Sequence, residues 1–305
     1  MNIIVSGSLA YDRIMNFPGR FSEHILPEKI HVLNVSFQVD GVKEKFGGTA
    51  GNIAYALTLM GEKPLLSAAI GYDYHRYFEW LLRNGISTAG VRIIEDELTA
   101  GAYITTDRAD NQITGFNPGA MRHSSCLDFD TLDPGNTLII VSPGNLGDMI
   151  NYPLLCKERG IDYIFDPGQS LPMWNAEDLL RSIEGSRILI VNDYELDLIL
   201  NKTGLDKKEL LRLPRAIITT LGEHGSRISM PYGDICIPVV KTCKMKDPTG
   251  AGDSYRGGLI SGLICGKEIE ECARIGSVCA SFAVECYGTQ EYSFTAEEFN
   301  QRLNS

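Results

Sequence analysis

The sequence predicts an α/β fold in which a mostly parallel sheet is covered by helices on both faces, with a small second β-sheet added to it. The main observation is a series of continuous apolar runs, separated by segments with helical periodicity. Such runs are typical of parallel strands buried on both faces. Two other segments alternate apolar and polar residues, which is typical of half-exposed strands. A length of 305 residues suits one main domain with an elaboration.

The apolar runs predict the strands of the main sheet at residues 2–6, 65–70, 138–142, 163–166, 188–192 and 216–220. Helices are expected after the glycine-rich segment 47–52 and over residues 75–84, 194–200, 207–213 and 257–266. Ligands of such sheets bind beyond the carboxyl ends of the strands. Polar residues at or near these ends are therefore candidates for a site, and they are Asp12, Asp166, Asn192 and Thr220.

The two alternating segments are far apart in the sequence, at residues 13–46 and 99–116. Strands are expected within the first of them at 29–35 and 36–39. We expect the two segments to pair into one small β-sheet that covers a site as a lid. Residues 1–12, 47–98 and 117–305 then form the α/β core.

A phosphate site is predicted by the run Asp247-Pro-Thr-Gly-Ala-Gly-Asp253. Gly250 and Gly252 are expected to break regular structure just before a helix, where backbone N–H groups and the helix dipole attract anions. A carboxylate beside such a site repels phosphate unless it has a chemical task, and accepting the proton of an attacking hydroxyl is the obvious one. Asp253 is therefore a candidate base for phosphoryl transfer. The plainer alternative is a Gly-Pro turn whose Asp caps a helix.

A second glycine-rich run, Gly47-Gly-Thr-Ala-Gly-Asn52, predicts a substrate site together with Asp12. Glycines allow a substrate to lie against bare backbone, and an Asn side chain offers both a donor and an acceptor. One carboxylate can accept hydrogen bonds from two neighbouring hydroxyls, so this set suits a vicinal diol. Helix capping with close strand packing is the alternative interpretation.

Composition and the absence of certain motifs argue against several classes of function. The net charge of −11 argues against a nucleic-acid partner, because such proteins show basic patches. No apolar run approaches the roughly 18–20 residues that span a bilayer, and no secretory signal precedes the first strand, so a cytoplasmic protein without a membrane partner is expected. Gly7 follows the first strand without the further glycines of a dinucleotide fingerprint, which disfavours a dehydrogenase.

These motifs resemble the signatures of the PfkB (ribokinase-like) carbohydrate and nucleoside kinases, and they occur in the family's order over almost the whole chain. The run ending in Asp253 is similar to the C-terminal signature, and Gly47–Asn52 to the N-terminal one. Asn192-Asp-Tyr-Glu195 resembles the Asn-x-x-Glu motif, for which helix capping is the commoner explanation. Residues 219–225 resemble the nucleotide loop. Segments 17–23, 116–121 and 288–291 are most similar to bacterial adenosine kinases.

The resemblance implies a ribokinase-like three-layer fold and ATP-dependent phosphorylation of a nucleoside 5′-hydroxyl, with adenosine as first choice and AMP as product. Asp253 would be the base beside an anion hole, and Glu195 would bind Mg²⁺ through water. The other implied site residues are Gly250, Ala251 and Gly252 at the anion hole, Ser8, Asp12, Gly48, Asn52, Phe116 and Gln169 at the nucleoside, and Asn192, Thr220, Gly222 and Gly225 with Glu195 at ATP. Dimerisation through the lid is also expected. Activation by K⁺ stays open, and so does the question whether residues 241–246 or 283–288 would flank the ion.

Two departures bear on the substrate. Similar kinases carry an aromatic residue at about position 102 and an amide at about position 170, where this chain has Ala102 and Ser170. Loss of the aromatic residue predicts a larger base pocket, since Tyr103 would point to the opposite face of a strand. The open alternatives are inosine, guanosine or cytidine, a free sugar such as ribose or fructose, and a catalytically silent nucleoside-binding regulator.

Overall fold

The structure is a computed structural model that describes residues 1–25, 35–109, 111–242 and 244–305. Over these ranges the strands are β1 (Asn2–Ser6), β2 (Ala10–Asn16), β3 (Val42–Gly47), β4 (Leu65–Gly71), β5 (Val91–Ile94), β6 (Ala100–Thr106), β7 (Gln112–Asn117), β8 (Thr137–Val141), β9 (Asp162–Phe165), β10 (Ile188–Asn192), β11 (Ile217–Thr220), β12 (Ser226–Met230) and β13 (Gly233–Ile237). The α-helices of the same ranges are α1 (Thr49–Leu59), α2 (His75–Arg83), α3 (Leu146–Arg159), α4 (Ala176–Ile183), α5 (Asp193–Thr203), α6 (Lys207–Leu210), α7 (Ala251–Ile264), α8 (Ile269–Ala283) and α9 (Ala296–Leu303).

Nine of the described strands form one sheet in the order β13-β12-β11-β10-β9-β8-β1-β4-β5. Neighbouring strands run parallel from β11 to β5, and β12 and β13 join antiparallel at one edge. This arrangement confirms the mostly parallel sheet that the apolar runs predict. No helix in the described ranges is long and apolar enough to cross a bilayer.

The main sheet is buried on both faces because its side chains alternate between two cores. On β1, Ile3 and Val5 point into a core that contains residues of α1, α2, α7, α8 and α9. Ile4, between them, points into a second core with residues of α3, α4, α5 and α6. The three-layer arrangement is therefore confirmed.

The remaining four strands form a smaller sheet in the order β3-β2-β6-β7. The prediction that the two alternating segments pair is confirmed, because β2 and β6 run side by side in parallel. The strand expected at residues 36–39 is wrong, since these residues have no strand structure; four alternating residues are a weak signal for pairing. Most of the strand expected at 29–35 lies outside the described residues. The division into core and lid segments stays a prediction.

Helix α7 differs from the sequence expectation because it begins at Ala251 and includes Gly252. Gly250 takes the irregular position with a φ of 79°, so only this glycine leaves helical geometry. The glycine farther along the helix at Gly257 permits close packing on α1, because a Cβ there would lie 2.5 Å from the Cβ of Ala56. Glycine in this segment thus serves packing as well as the turn that precedes the helix.

Candidate active site

A cavity of about 850 Å³ lies beyond the carboxyl ends of β9, β10 and β11. It extends to the first turn of α7 and is bounded farther out by residues of α8. Many of the residues expected at ATP or at the anion hole line it: Asn192, Glu195, Thr220, Gly222, Gly225, Gly250, Ala251, Gly252 and Asp253. Of the polar residues that the sequence indicated at strand ends, Asp166, Asn192 and Thr220 line this cavity together, as parallel topology requires, whereas Asp12 does not line it.

Asp253 lies in the first turn of α7, at the wall of this cavity. The first N–H groups of a helix have no partner within the helix. Within the described chain, the N–H of Gly252 has no hydrogen-bond acceptor, whereas that of Ala251 donates to the carbonyl of Pro248 at 3.2 Å. The turn thus presents the Gly252 N–H together with the positive end of the helix dipole beside the Asp253 carboxylate.

Asn52 in α1 connects the two glycine-rich motifs directly. Its Nδ2 donates to Oδ2 of Asp253 at 2.8 Å, across a separation of 201 residues. The helix can begin so close to β2 because Gly48 has a φ of 88°, and a Cβ there would lie 2.5 Å from the carbonyl oxygen of Ser8. The structure therefore places the predicted acceptor-site residue in contact with the predicted base.

Asp12 lies on β2 of the small sheet, rather than in the turn after β1 as expected. Its carboxylate packs on Gly47, where a Cβ would be 2.5 Å from Oδ2. Asp12 pairs with Ala102 of β6, and Ala102 pairs with Phe116 of β7. Directly paired residues face the same side of a sheet, so a carboxylate, a methyl group and an exposed phenyl ring form one row.

Tyr103 belongs to the opposite face, as predicted. It pairs with Arg13 of β2, and its hydroxyl accepts a hydrogen bond from Nη1 of Arg13 at 3.0 Å. The guanidinium carbon of Arg13 also lies over the Tyr103 ring, 5.2 Å from the ring centroid. Because these contacts hold Tyr103 away from the Asp12 face, it does not replace the aromatic residue absent at position 102.

Two further residues expected at the nucleoside lie elsewhere in the site. The hydroxyl of Ser8 is buried and accepts the N–H of Thr49 at 3.1 Å, so it caps the start of α1. Gln169 is exposed and lines the large cavity, on the side of the nucleotide residues. Ser170 points into the core and donates to the carbonyl of Pro167 at 2.8 Å. Direct contacts of Ser8 and Gln169 with a nucleoside stay predictions.

Asn192 and Glu195 form a capping box at the start of α5. Oδ1 of Asn192 accepts the N–H of Glu195 at 2.7 Å, and Oε2 of Glu195 accepts the N–H of Asn192 at 2.8 Å. The other carboxylate oxygen of Glu195 takes no part in the box, and the residue lines the cavity. The described residues contain no group of three acidic, His or Cys side chains arranged around a metal. This donor set fits a hydrated Mg²⁺ better than a directly chelated one.

Arg256 and Asp166 form a buried ion pair beside Asp253. The guanidinium Nε lies 2.5 Å from Oδ2 of Asp166, and Nη2 donates to Oδ1 at 2.8 Å. Both residues are less than 10% exposed and border the cavity. A Cβ on Gly252 would lie 2.7 Å from Nη1 of Arg256, so the glycine lets the guanidinium approach the turn. The pair holds the guanidinium of Arg256 in a fixed position near the predicted anion site.

The electrostatic environment shifts the pKa of two predicted site carboxylates, Asp253 and Asp12. The pKa of Asp253 is raised to about 6, chiefly because the carboxyl is buried. The guanidinium of Arg256 and the hydrogen bond from Asn52 oppose that rise. Burial also raises the pKa of Asp12 to about 6, and the charge of Asp247 adds to it. A carboxylate with a pKa just below neutrality can accept a proton and release it again.

Sequence reasoning gave no role to three residues that the structure joins to this site. Arg256 lies within the C-terminal signature, and its position one turn after Asp253 was the available signal. Gln290 lies within the segment 288–291, which carried a family resemblance only. Trp80 offered no signal, because its contact with Gln290 joins residues 210 positions apart.

Comparison with known proteins gives a consistent assignment. The pfkB family of carbohydrate kinases matches residues 7–296. A nucleoside kinase of Methanocaldococcus jannaschii is 34% identical over 281 residues, which is 90% of this chain and 91% of that protein.

Solved structures show the same fold. A nucleoside kinase of Burkholderia thailandensis in complex with inosine is 38% identical, with a TM-score of 0.87 over 99% of this chain and 97% of that one. A second structure of the Burkholderia enzyme, in complex with ADP-inosine, has a TM-score of 0.85 and 39% identity over 99% of this chain and 95% of that one. The ribokinase-like α/β fold is therefore confirmed.

Proposed function

The chain belongs to the PfkB family of carbohydrate kinases, and we propose that within this family it is an ATP-dependent nucleoside kinase. Membership of the family makes it a phosphotransferase that acts on a hydroxyl group. The proposed acceptor is the ribose 5′-hydroxyl of a purine nucleoside. Adenosine is the first choice from sequence, and inosine is the second because the Burkholderia relative binds it.

The observation that carries the proposal is that Asn52 contacts Asp253 beside the row formed by Asp12, Ala102 and Phe116. Strands in a sheet are about 4.8 Å apart, so Phe116, two strands from Asp12, is displaced by roughly 10 Å. A carboxylate that holds a ribose diol and a ring that meets the base match a nucleoside at this separation. A free pentose is too short to reach both ends.

In the proposed reaction, Asp12 binds the ribose diol and thereby presents the 5′-hydroxyl to Asp253. The Asp253 carboxylate accepts the hydroxyl proton while the oxygen attacks the γ-phosphorus of ATP, and ADP leaves with the electron pair of the broken P–O bond. The Gly252 N–H and the guanidinium of Arg256 stabilise the negative charge on the transferring group. Closure of the small sheet over the nucleoside would exclude water, which competes as an acceptor.

Glu195 and Asn192 are the residues proposed to hold Mg²⁺, through its water shell. The ion would neutralise charge on the phosphates when bound with ATP. Thr220 and Gly222 stand at the end of β11 beside Asn192, in a position to contact the nucleotide. Activation by K⁺, dimerisation through the small sheet and a cytoplasmic location stay predictions.

The proposal is tested by ADP formation from Mg-ATP with adenosine, inosine, guanosine, cytidine, ribose and fructose. We expect kcat/KM for a purine nucleoside to exceed that for ribose by about 10- to 100-fold, which corresponds to roughly 1–3 kcal/mol of contact between base and ring. Phe116→Ala should lower kcat/KM for nucleosides by about tenfold and leave that for ribose unchanged. The ring is 53% exposed, so its removal does not disturb a core.

Higher kcat/KM for ribose or fructose than for every nucleoside would contradict the proposed substrate. Tight nucleoside binding without ADP formation would instead identify a silent regulator.

A further inference from the structure

A continuous chain of hydrogen bonds leads from Trp80, a half-buried residue of α2, to the proposed base. Nε1 of Trp80 donates to Oε1 of Gln290 at 2.8 Å, and Nε2 of Gln290 donates to Oδ1 of Asn52 at 2.9 Å. Nδ2 of Asn52 then donates to Oδ2 of Asp253. Nε2 of Gln290 also donates to the hydroxyl of Tyr77 at 3.0 Å, and that hydroxyl donates to the carbonyl of Gly47 at 2.5 Å.

The ends of this chain fix its direction. The indole N–H of Trp80 can only donate, so it requires the oxygen of the Gln290 amide. The carbonyl of Gly47 can only accept, so the Tyr77 hydroxyl points its proton there and accepts from Gln290. Gln290 must therefore turn its NH₂ group inward, towards Asn52. Because a nitrogen donor meets the oxygen of Asn52, the amide of Asn52 must turn its own NH₂ group towards Asp253.

We infer that Gln290 is a positioning residue, which holds the amide of Asn52 in the one orientation that donates a hydrogen bond to Asp253. The inference rests on the proposed function, since it assigns a task to the base. Gln290 is 2% exposed, and its oxygen and its two N–H groups meet Trp80, Asn52 and Tyr77. The terminal torsion of an Asn side chain has a broad energy profile, so its own rotamer preference does not select the orientation.

Loss of Gln290 would leave Asn52 free to present its oxygen to Asp253. Two acceptor oxygens in contact repel each other unless the carboxyl is protonated. The hydrogen bond from Asn52 helps to keep the pKa of Asp253 down against the effect of burial. Its loss would therefore raise that pKa, and less of the base would be ionised near neutral pH.

Several other groups around Asp253 affect its ionisation. Of these groups, only Tyr292 lies in the same segment of the chain as Gln290. The charged and titratable groups that face Asp253 are Arg256 on α7, Asp166 after β9, Asp12 on β2, Tyr77 on α2 and Tyr292. Gln290 contacts Tyr77 in this set and leaves the carboxylates and Arg256 untouched. The effect of its removal should therefore pass through Asn52.

The experiment compares Gln290→Leu, Trp80→Phe and wild type by the pH profile of kcat with a saturating purine nucleoside and Mg-ATP. We expect the midpoint of the acid limb to rise by about one pH unit in Gln290→Leu, from about pH 6 to about pH 7. At pH 6 this lowers kcat about fivefold, and at pH 9 kcat should return close to the wild-type value. Trp80→Phe should shift the midpoint in the same direction by less, because only the far donor is lost.

Tyr55→Phe is the matched control. Its hydroxyl donates to the carbonyl of Tyr292 at 2.7 Å, so the variant loses a buried hydrogen bond close to the chain but outside it. Its acid limb should stay at the wild-type midpoint, whatever change in melting temperature it shows. If Gln290→Leu does not fold, the midpoint of the acid limb of Trp80→Phe tests the inference, because this variant keeps an aromatic ring at position 80.

A reduction of kcat by the same factor at every pH would show that Gln290 serves structure alone, and would overturn the inference. An acid limb at the wild-type midpoint in both Gln290→Leu and Trp80→Phe would also overturn the inference. Asp253→Asn, measured in parallel, separates this failure from that of the proposed function. If Asp253→Asn retains turnover, the proposed base is wrong. If Asp253→Asn is inactive while the acid limb of Gln290→Leu and Trp80→Phe stays at the wild-type midpoint, only the role of Gln290 is wrong.

Discussion

Asp253→Asn is expected to lower kcat by about 10²- to 10⁴-fold, with little change in KM for the nucleoside. The amide keeps the size of the side chain and can still accept the hydrogen bond from Asn52, so binding geometry is preserved. What is lost is a group that can take the 5′-hydroxyl proton. The measurement is steady-state ADP formation, together with nucleoside affinity by titration calorimetry.

Asp12→Asn provides the contrast, because Asp12 is proposed to bind and not to transfer a proton. That variant should mainly raise KM, and it should keep a larger share of kcat than Asp253→Asn does. In the wild type, kcat should fall as pH drops below about 6, since the raised pKa of Asp253 leaves the base protonated there. Turnover by Asp253→Asn near the wild-type rate would contradict the proposed mechanism.

Arg256→Met is expected to reduce the free energy of unfolding by roughly 3–5 kcal/mol at neutral pH. Methionine fills much of the volume but leaves the carboxylate of Asp166, which is 1% exposed, without its partner. Burial already raises the pKa of Asp166, and the guanidinium opposes that rise. Without Arg256 the folded state takes up a proton more readily than the unfolded state. The deficit should therefore become smaller as pH is lowered from 8 to 5.

Arg187→Met is the matched control for this prediction, measured by urea unfolding. Arg187 pairs at 3.3 Å with Asp162, and both side chains are partly exposed. Asp162 begins β9, whereas Asp166 follows the end of that strand. Loss of Arg187 should cost less than about 1 kcal/mol. The double variant Asp166→Asn/Arg256→Met should recover part of the stability lost by Arg256→Met. Equal losses in the two single Arg variants would contradict the importance given to burial.

The sequence predicted six of the nine strands of the main sheet, because each of these six carries a continuous apolar run, whereas the edge strands β5, β12 and β13 were not predicted. The apolar runs at residues 2–6 and 138–142 lie on β1 and β8, whose side chains face two cores. The extent of α7 was less predictable, because Gly252 disfavours a helix locally while packing against α1 and α8 supports one. The four alternating residues at 36–39 carried too little signal to decide whether a partner strand is present.

The candidate site could be predicted where a motif is local, and not where it depends on distant partners. Gly250, Gly252 and Asp253 stand within four residues, so their joint role was visible. The ion pair of Arg256 with Asp166 joins residues 90 positions apart, and it forms only when the fold brings the first turns of α7 to the loop after β9. The same holds for the contact of Gln290 with Asn52, which spans 238 residues. Such contacts leave no periodicity that a single sequence can reveal.

The most direct test of the central claim is identification of the product by ³¹P NMR after incubation of the enzyme with Mg-ATP and adenosine or inosine. The account predicts one nucleoside 5′-monophosphate and an equal amount of ADP, and no ADP above background with the corresponding 5′-deoxynucleoside. Equal ADP formation with the 5′-deoxynucleoside, or phosphate on another hydroxyl, would contradict it.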